Sequence, residues 1–128
     1  MLAESPDGRT LAAADPQTLW LIPTAGGEAT VRFRPAAQKL GSLTAVAWAR
    51  DGRSLVFAVS RQGARAPEAY RLPIDEGAPA AIEVNTPLED VAWFRSLHMH
   101  PTTDGVIAVT PWGWRGEVWR LSNFLPRP

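Results

Sequence analysis

Two histidines come closest to a chemically useful arrangement. His98 and His100 are two positions apart, so on a β-strand both imidazole rings point to the same face, which is the spacing of a strand-borne metal pair. A functional metal site needs at least three protein ligands, and the sequence contains neither a further histidine nor a cysteine. We therefore predict no metal site. The two histidines are expected to line the inner strand of a sheet and remain candidate binding residues.

Nucleophilic and phosphate-binding chemistry lack their sequence patterns. Acyl transfer on a hydrolase fold uses G-x-S-x-G, and the nearest match, Gly52-Arg53-Ser54, continues with Leu55-Val56. Ser54 is therefore interpreted as the first residue of a strand. The glycines of Gly26-Gly27 and of Gly113 to Gly116 lack the spacing and the following helix that direct backbone amides at a phosphate. The sequence predicts no catalytic residue, no cofactor and no enzyme activity.

Aromatic residues in one loop are the other candidate binding residues. Trp112 and Trp114 lie between Pro111 and Gly116, and loops on a rigid scaffold often carry binding residues. The alternative is that both rings pack over a neighbouring sheet. Together with His98 and His100, they form the predicted binding surface for a protein or peptide.

Composition and charge disfavour several partner classes. Thirteen basic and thirteen acidic side chains cancel, and no run of one sign marks a nucleic-acid or anionic-membrane surface. The apolar runs are far shorter than the ~20 residues that span a bilayer, so we predict no membrane contact. The first residues, MLAESPDG, have neither the basic nor the apolar region of a signal peptide. The compartment is not predicted from the residues.

The stretch from Leu43 to Leu72 predicts the unit from which the chain is built. Leu43 to Trp48 alternates apolar with small residues, Asp51-Gly52 supplies a tight turn, and Ser54 to Val59 resumes the alternation. This pattern is typical of a β-hairpin. A third strand is predicted from Tyr70 to Leu72 and a fourth near Ala81 to Val84.

Residues 4–33 repeat this unit from its turn onward. Asp7-Gly8 lies 44 positions before Asp51-Gly52. Trp20 and Ile22 take the places of Tyr70 and Leu72, and a fourth strand is expected around Thr30 to Phe33. Since only residues 1–3 precede the turn region, we predict that the first strand is largely missing and that the chain begins inside a repeat.

The C-terminal third allows two alignments with the same unit. Val91-Ala92-Trp93 repeats Val46-Ala47-Trp48 at a distance of 45 positions, whereas Asp104-Gly105 lies 53 positions after Asp51-Gly52. We favour Leu97 to His100 as the strand entering the turn, because a hairpin strand must abut its turn. Further strands are predicted at Ile107 to Val109 and Val118 to Leu121. Residues 122–128 contain two prolines and are not expected to supply a fourth strand.

A recurring unit of about 40–50 residues with four short strands predicts an all-β fold, a partial β-propeller. A single domain, 1–128, is expected to contain about three four-stranded antiparallel blades at about 1–35, 43–85 and 91–128, with the first and last incomplete. A β-sandwich is the alternative, but it gives no reason for the unit length to recur. The predicted core between blades consists of Trp20, Ile22, Leu55, Phe57, Tyr70, Leu72, Trp119 and Leu121. The terminal blades should each expose an apolar face, so we expect self-association unless further blades cover them.

The turns also resemble a known family. Ser5-Pro6-Asp7-Gly8-Arg9 followed by Leu11 resembles the S-P-D-G-[RK]-x-L-A signature of TolB-like, WD-repeat-related β-propeller blades of bacteria. Ala49 to Arg53 is a degenerate copy with Arg50 in place of proline, and His100 to Gly105 is a copy with two inserted residues. Glu117 to Pro126 is similar to the closing segment E-V-W-x-L-E-N-F-L-P, which suggests a true C-terminus. The resemblance covers nearly the whole chain.

What the resemblance implies is mainly structural. The Asp-Gly pairs, Asp7, Gly8, Asp51, Gly52, Asp104 and Gly105, are expected to make turns between the first two strands of each blade. The Trp or Tyr of the third strand is expected to pack between blades. Such blades occur in periplasmic accessory proteins, behind winged-helix regulators or serine/threonine kinases, and in front of the hydrolase domain of prolyl-oligopeptidase-like enzymes.

The resemblance therefore implies a non-catalytic propeller module for protein or ligand binding. It would be the C-terminal part of a larger bacterial sensor, regulator or envelope protein. The alternative is the propeller domain of a prolyl-oligopeptidase-like serine peptidase, which gates substrate access to an absent hydrolase domain. The expected contacts are a protein or peptide partner and the missing blades, supplied by the same polypeptide or by self-association.

Overall fold

The computed structural model describes residues 1–63, 68–82, 96–99, 106–109 and 118–121. These residues form an all-β structure with no α-helix, and Pro35–Gln38 forms a single turn of 3-10 helix. None of the described helical segments is long and apolar enough to cross a membrane. The strands are β1 Leu2–Glu4, β2 Thr10–Ala14, β3 Leu19–Pro23, β4 Thr30–Phe33, β5 Ser42–Trp48, β6 Ser54–Ser60, β7 Glu68–Pro73, β8 Ala80–Ala81, β9 Ser96–Met99, β10 Val106–Val109 and β11 Val118–Leu121.

Strands that follow one another along the chain pair antiparallel. The first sheet has the order β1-β2-β3-β4 and the second has the order β5-β6-β7-β8. In a further sheet β10 lies between β9 and β11. The pairing of β9 with β10, with Met99 opposite Val106, agrees with the alignment in which a strand beginning near Leu97 enters the turn. Residues 83–95, which include the competing Val91-Ala92-Trp93 alignment, lie outside the described residues.

The first sheet contains the strand that the sequence predicted to be largely missing. β1 pairs with β2 from Leu2 opposite Ala13 to Glu4 opposite Leu11. Three residues suffice because the tight turn leads directly into β2, and because the indole N–H of Trp48 donates a hydrogen bond to the Ala3 carbonyl at 2.9 Å. The prediction of an incomplete first sheet was therefore wrong. β1 is short, at three residues against seven in β5.

The two described Asp-Gly turns share the same geometry. Gly8 has φ 72° and Gly52 has φ 69°, values that glycine adopts without strain. The N–H of Gly8 donates to the carbonyl of Ser5 at 2.9 Å, and the N–H of Gly52 donates to that of Ala49 at 3.0 Å. The 44-position spacing in the sequence thus corresponds to one local structure built twice.

The first and second sheets pack face to face around one hydrophobic core. Phe57 is fully buried, with its ring centroid 5.2 Å from that of Phe33 and 5.5 Å from that of Tyr70. The first sheet contributes Ala3, Ala12, Ala14, Leu19, Leu21 and Phe33, and the second contributes Leu43, Val46, Trp48, Leu55, Phe57, Val59, Tyr70 and Leu72. The predicted burial of Leu55, Phe57 and Leu72 is confirmed.

The prediction that Trp20 and Ile22 belong to this core was wrong. Paired residues on antiparallel strands point to the same face, and Trp20 pairs with Ala13 and Val31. Its face is opposite to that of Leu19, which lies in the core. Side chains of β3 do alternate between two faces, but Leu19 and Leu21, and not Trp20 and Ile22, face the second sheet. Trp119 lies on β11, and its side-chain surroundings are outside the described part of the chain.

Arg32 connects the outer strand of the first sheet to the second sheet. The register of β4 shifts between Phe33 opposite Leu19 and Val31 opposite Trp20, which leaves Arg32 as the extra residue of a β-bulge. Its Nε donates to the carbonyls of Pro73 at 3.0 Å and Ile74 at 3.1 Å. Its Nη2 donates to those of Pro73 at 2.6 Å and Gly77 at 3.1 Å.

Replacing Arg32 with methionine should test this connection. The aliphatic part of the side chain is kept, but three carbonyl groups lose a charged donor, so we expect a loss of about 1.5–3 kcal/mol in the free energy of unfolding. Urea denaturation measures it. Arg34→Met at an exposed position of the same segment is the control and should change stability by less than about 0.5 kcal/mol. Equal effects of the two substitutions would contradict the assignment.

Candidate functional site

The residues of the predicted binding surface are only partly within the described chain. His98 lies on β9 opposite Ile107 on β10. His100, Trp112 and Trp114 are outside the described residues, as are Asp104 and Gly105 of the third predicted turn. Of the four predicted binding residues, the structure therefore places only the backbone of His98.

Titratable side chains in the described ranges do not form a metal-binding group. No cluster of three or more histidine, aspartate or glutamate residues occurs among them. Ser54, the residue nearest to a nucleophile pattern, is the buried first residue of β6. Its hydroxyl accepts a hydrogen bond from Nε of Arg71 at 3.2 Å. This geometry fits a structural serine at the beginning of a strand.

Ser5 and Asp7 lock the first turn. The buried Ser5 hydroxyl donates to Oδ1 of Asp7 at 2.7 Å and accepts from the backbone N–H of Thr10 at 3.0 Å. The N–H of Arg9 donates to the same Asp7 oxygen at 3.0 Å. The hydrogen bond from Ser5, followed by that from Arg9, lowers the pKa of Asp7 below its ordinary value of 3.8. Asp7 is thus held as a carboxylate that accepts hydrogen bonds, which suits a turn and not proton transfer.

The lowered pKa of Asp7 predicts a pH dependence of stability. A depressed folded-state pKa contributes stability above pH 3.8, and this contribution disappears as the pH falls through the folded-state value. The melting temperature of Asp7→Asn should therefore lie below that of the wild type at neutral pH, and the gap should narrow below pH 3.8. Asp75→Asn, at an exposed position of another turn, is the control and should lower the melting temperature less than Asp7→Asn at neutral pH. A gap that stays constant from neutral to acid pH would contradict the assigned role.

A second polar group surrounds the Asp51-Gly52 turn. Oδ1 of Asp51 accepts from the N–H of Arg53 at 2.9 Å, and Oδ2 accepts from Nη2 of Arg71 at 3.4 Å. Nη1 of Arg71 is buried and has no hydrogen-bond partner within the described part of the chain. Arg71 stands opposite Val56, on the face of the second sheet that points away from the core. The sequence pattern places Arg71 in a strand and does not indicate this polar role.

Glu68 joins two side chains at the opposite end of the second sheet. One of its carboxylate oxygens accepts from the Tyr70 hydroxyl at 2.6 Å and from Nε of Arg61 at 3.2 Å. Burial, and then the hydrogen bond to Glu68, raise the pKa of Tyr70. Tyr70 is therefore a hydrogen-bond donor and not a base. Arg61 is thus paired with Glu68 while its side chain stays 40% exposed.

An apolar surface remains on the first sheet. We call the side that points away from the second sheet the outer face; it carries Leu2, Leu11, Ala13, Trp20, Ile22 and Val31. Leu2 is 73% exposed and Val31 is 45% exposed, and Leu11, Trp20 and Ile22 are half-buried. Contiguous exposed apolar residues of this kind often mark interaction sites. The outer face is the clearest candidate interaction surface of the described chain.

No protein-family model and no curated protein matches this chain. A functional assignment therefore rests on the geometry of its own residues. That geometry includes turn-locking carboxylates, an ion pair at the sheet end and an apolar outer face. Each of these features can hold a structure together or contact a partner.

Proposed function

We propose that the chain is a non-catalytic β-propeller module that binds a protein or peptide as part of a larger bacterial sensor, regulator or envelope protein. One observation carries the proposal: β1 and β9 both lie next to β5. The first strands of three successive antiparallel meanders are therefore neighbours. In a propeller the sheets are arranged around a central channel, and adjacent first strands are the arrangement expected there.

The burial of the second sheet on both faces supports the same proposal. One face meets the first sheet, and the other face carries residues that are also buried, namely Ala45, Ala47, Val56, Ala58 and Ala69. In a two-sheet sandwich, residues directed away from the core are polar and solvated. An internal propeller blade instead has neighbours on both sides. The apolar character of this second face favours the propeller over the sandwich.

The absence of a catalytic role is proposed from the residue patterns. The sequence has no G-x-S-x-G segment. The polar groups that the structure describes near the turns, Asp7 and Asp51, accept hydrogen bonds from backbone N–H groups. Binding is proposed because loops positioned by a rigid scaffold often carry binding residues, and the segment with Trp112 and Trp114 is the predicted contact.

A peptide selection tests the binding function. Phage-displayed random peptides are selected on the whole chain, and the affinity of the best synthetic peptide is measured by calorimetry. We expect saturable one-to-one binding that Trp112→Ala combined with Trp114→Ala weakens about tenfold or more, as for aromatic hot-spot residues. Arg34→Met, at an exposed position away from the outer face, is the control and should leave the affinity unchanged. Cleavage of the peptide, or failure to find any saturable binder, would contradict the proposal.

The full-length reading frame separates the proposed function from its nearest alternative. A kinase or winged-helix domain in the same frame would support a sensor or regulator. A hydrolase domain would instead support a propeller that gates access to a peptidase. Sequencing of the gene on both sides of these codons decides between them.

A further inference from the structure

The outer face of the first sheet has a structural equivalent that is already covered. In the first sheet Ala13 pairs with Trp20, and Leu11 pairs with Ile22. In the second sheet Phe57 pairs with Tyr70, and Leu55 pairs with Leu72. Positions 11 and 13 lie 44 residues before positions 55 and 57, and the first Asp-Gly turn lies 44 residues before the second. The two faces therefore occupy the same place in their sheets.

The structure shows what covers this face in the second sheet. That face of the second sheet packs against the side of the first sheet that carries its core residues, which we call the inner face. The inner face has Ala12 and Ala14 on β2, Leu19 and Leu21 on β3 and Phe33 on β4. On this face, two small residues on the second strand pair with leucines on the third strand, and a phenylalanine follows on the fourth.

We infer that the outer face docks a further four-stranded antiparallel sheet that presents this same pattern: small residues on its second strand, leucine-like residues on its third, and an aromatic residue on its fourth. The inference rests on the sheet stacking of the proposed function, and it adds the surface and the partner. Docking would cover Leu2 and Val31, the most exposed apolar residues on the outer face.

The edge of the outer face also offers the acceptors that such a sheet would use. Arg32 of the first sheet donates to the carbonyls of Pro73, Ile74 and Gly77. In the first sheet Pro23 stands opposite Thr10, as Pro73 stands opposite Ser54. A Cβ added at Gly27 would lie 3.5 Å from Cγ of Pro23, and one added at Gly77 would lie 3.5 Å from Cγ of Pro73. Both turns thus fold back on their prolines. The Pro23 carbonyl also accepts from the N–H of Gly26 at 3.3 Å, and a carbonyl oxygen can accept a second hydrogen bond, so an arginine on the fourth strand of the docking sheet fits the carbonyls around Pro23.

One residue of the outer face predicts a polar contact with the docking sheet. Glu4 stands opposite Leu11, and Trp48 stands opposite Leu55. The place of an indole in the second sheet is thus taken by a carboxylate in the first. The docking sheet should therefore carry a hydrogen-bond donor or leave water access near its first turn.

A tandem chain provides the probe for this inference. Residues 1–44 are duplicated ahead of Met1, so that the segment from Pro35 to Thr44 leads from the added sheet into the original one. The added sheet then presents Ala12, Ala14, Leu19, Leu21 and Phe33 to the outer face, as the first sheet presents them to the second. Because the chain contains no cysteine, Val31→Cys in the original unit introduces a single thiol. The reactivity of that thiol shows whether the outer face is covered.

Thiol labelling gives the readout. We expect Val31→Cys to react about tenfold or more slowly in the tandem than in the 128-residue chain, because buried thiols are poorly reactive. Ala25→Cys, at an exposed turn position, is the control and should react equally in both. A Phe33→Asp substitution confined to the added unit should restore fast labelling.

Two results would overturn the inference. The first is equal labelling of Val31→Cys in both chains while circular dichroism shows that the added unit has strand content. The second is protection of Val31→Cys in the 128-residue chain at high concentration, abolished by Leu2→Lys, since the occupant would then be a second copy. Either result leaves peptide binding, the test of the proposed function, unaffected. If the Val31→Cys thiol is protected in the tandem chain but no peptide binds, only the proposed function is contradicted.

Discussion

Phe57→Ala is expected to lower the free energy of unfolding by about 3–5 kcal/mol, the usual cost of deleting a fully buried phenylalanine. The ring has no solvent exposure and lies between Phe33 and Tyr70. It therefore joins the two sheets at the centre of their shared core. Urea denaturation with a two-state fit measures the loss.

The control for Phe57→Ala is Val31→Ala on the outer face. Val31 is 45% exposed, so its truncation should change the free energy of unfolding by less than about 0.5 kcal/mol. Phe57→Leu should fall between the two, because it keeps most of the buried volume. A loss at Phe57 no larger than at Val31 would show that the two sheets do not share this core.

Gly41→Ala should destabilise the chain by about 2–4 kcal/mol, through backbone strain and a steric clash together. Gly41 precedes β5 with φ +89°, and a Cβ there would lie 2.5 Å from the carbonyl oxygen of Ser60. A backbone atom cannot move aside as the end of a side chain can. The paired strands β5 and β6 would have to separate at this end.

Gly26→Ala is the matched control for Gly41. Gly26 also has a positive φ of +101°, but no atom of the described residues lies within 4 Å of its added Cβ. It should therefore cost only the conformational strain, about 1–2 kcal/mol. Chemical denaturation of the two variants isolates the clash, and equal losses would mean that β5 and β6 do not approach each other as described.

Local patterns in the sequence predict most strand positions. Each described Asp-Gly turn fixes where one strand ends and the next begins, and the fourth strand predicted at Thr30 to Phe33 is β4. Patterning did not predict which phase of β3 is buried, because β3 carries large apolar residues on both faces. Trp20 and Leu19 both fit the alternation, and only the position of the second sheet decides between them. β1 was missed because three residues are too few to show a period.

The long-range polar contacts could not be predicted from the sequence. Arg32 donates to carbonyls more than 40 positions away. The β-bulge that leaves Arg32 as the extra residue of β4 is not predicted by any pattern in the sequence. Gly41 lies just before β5, and no local pattern in the sequence indicates that the carbonyl of Ser60 leaves no room for a Cβ there. Glu68 and Tyr70 are two positions apart on one strand, so their contact could have been anticipated.

The first and second sheets pack face to face, with Phe33 and not Trp20 on the side that meets the second sheet. Nuclear Overhauser effects from the Phe57 ring test it most directly. The ring centroids of Phe57 and Phe33 are 5.2 Å apart, so we predict strong effects between these two rings and none between Phe57 and the Trp20 indole. Strong effects from Phe57 to Trp20, with none to Phe33, would contradict the claim.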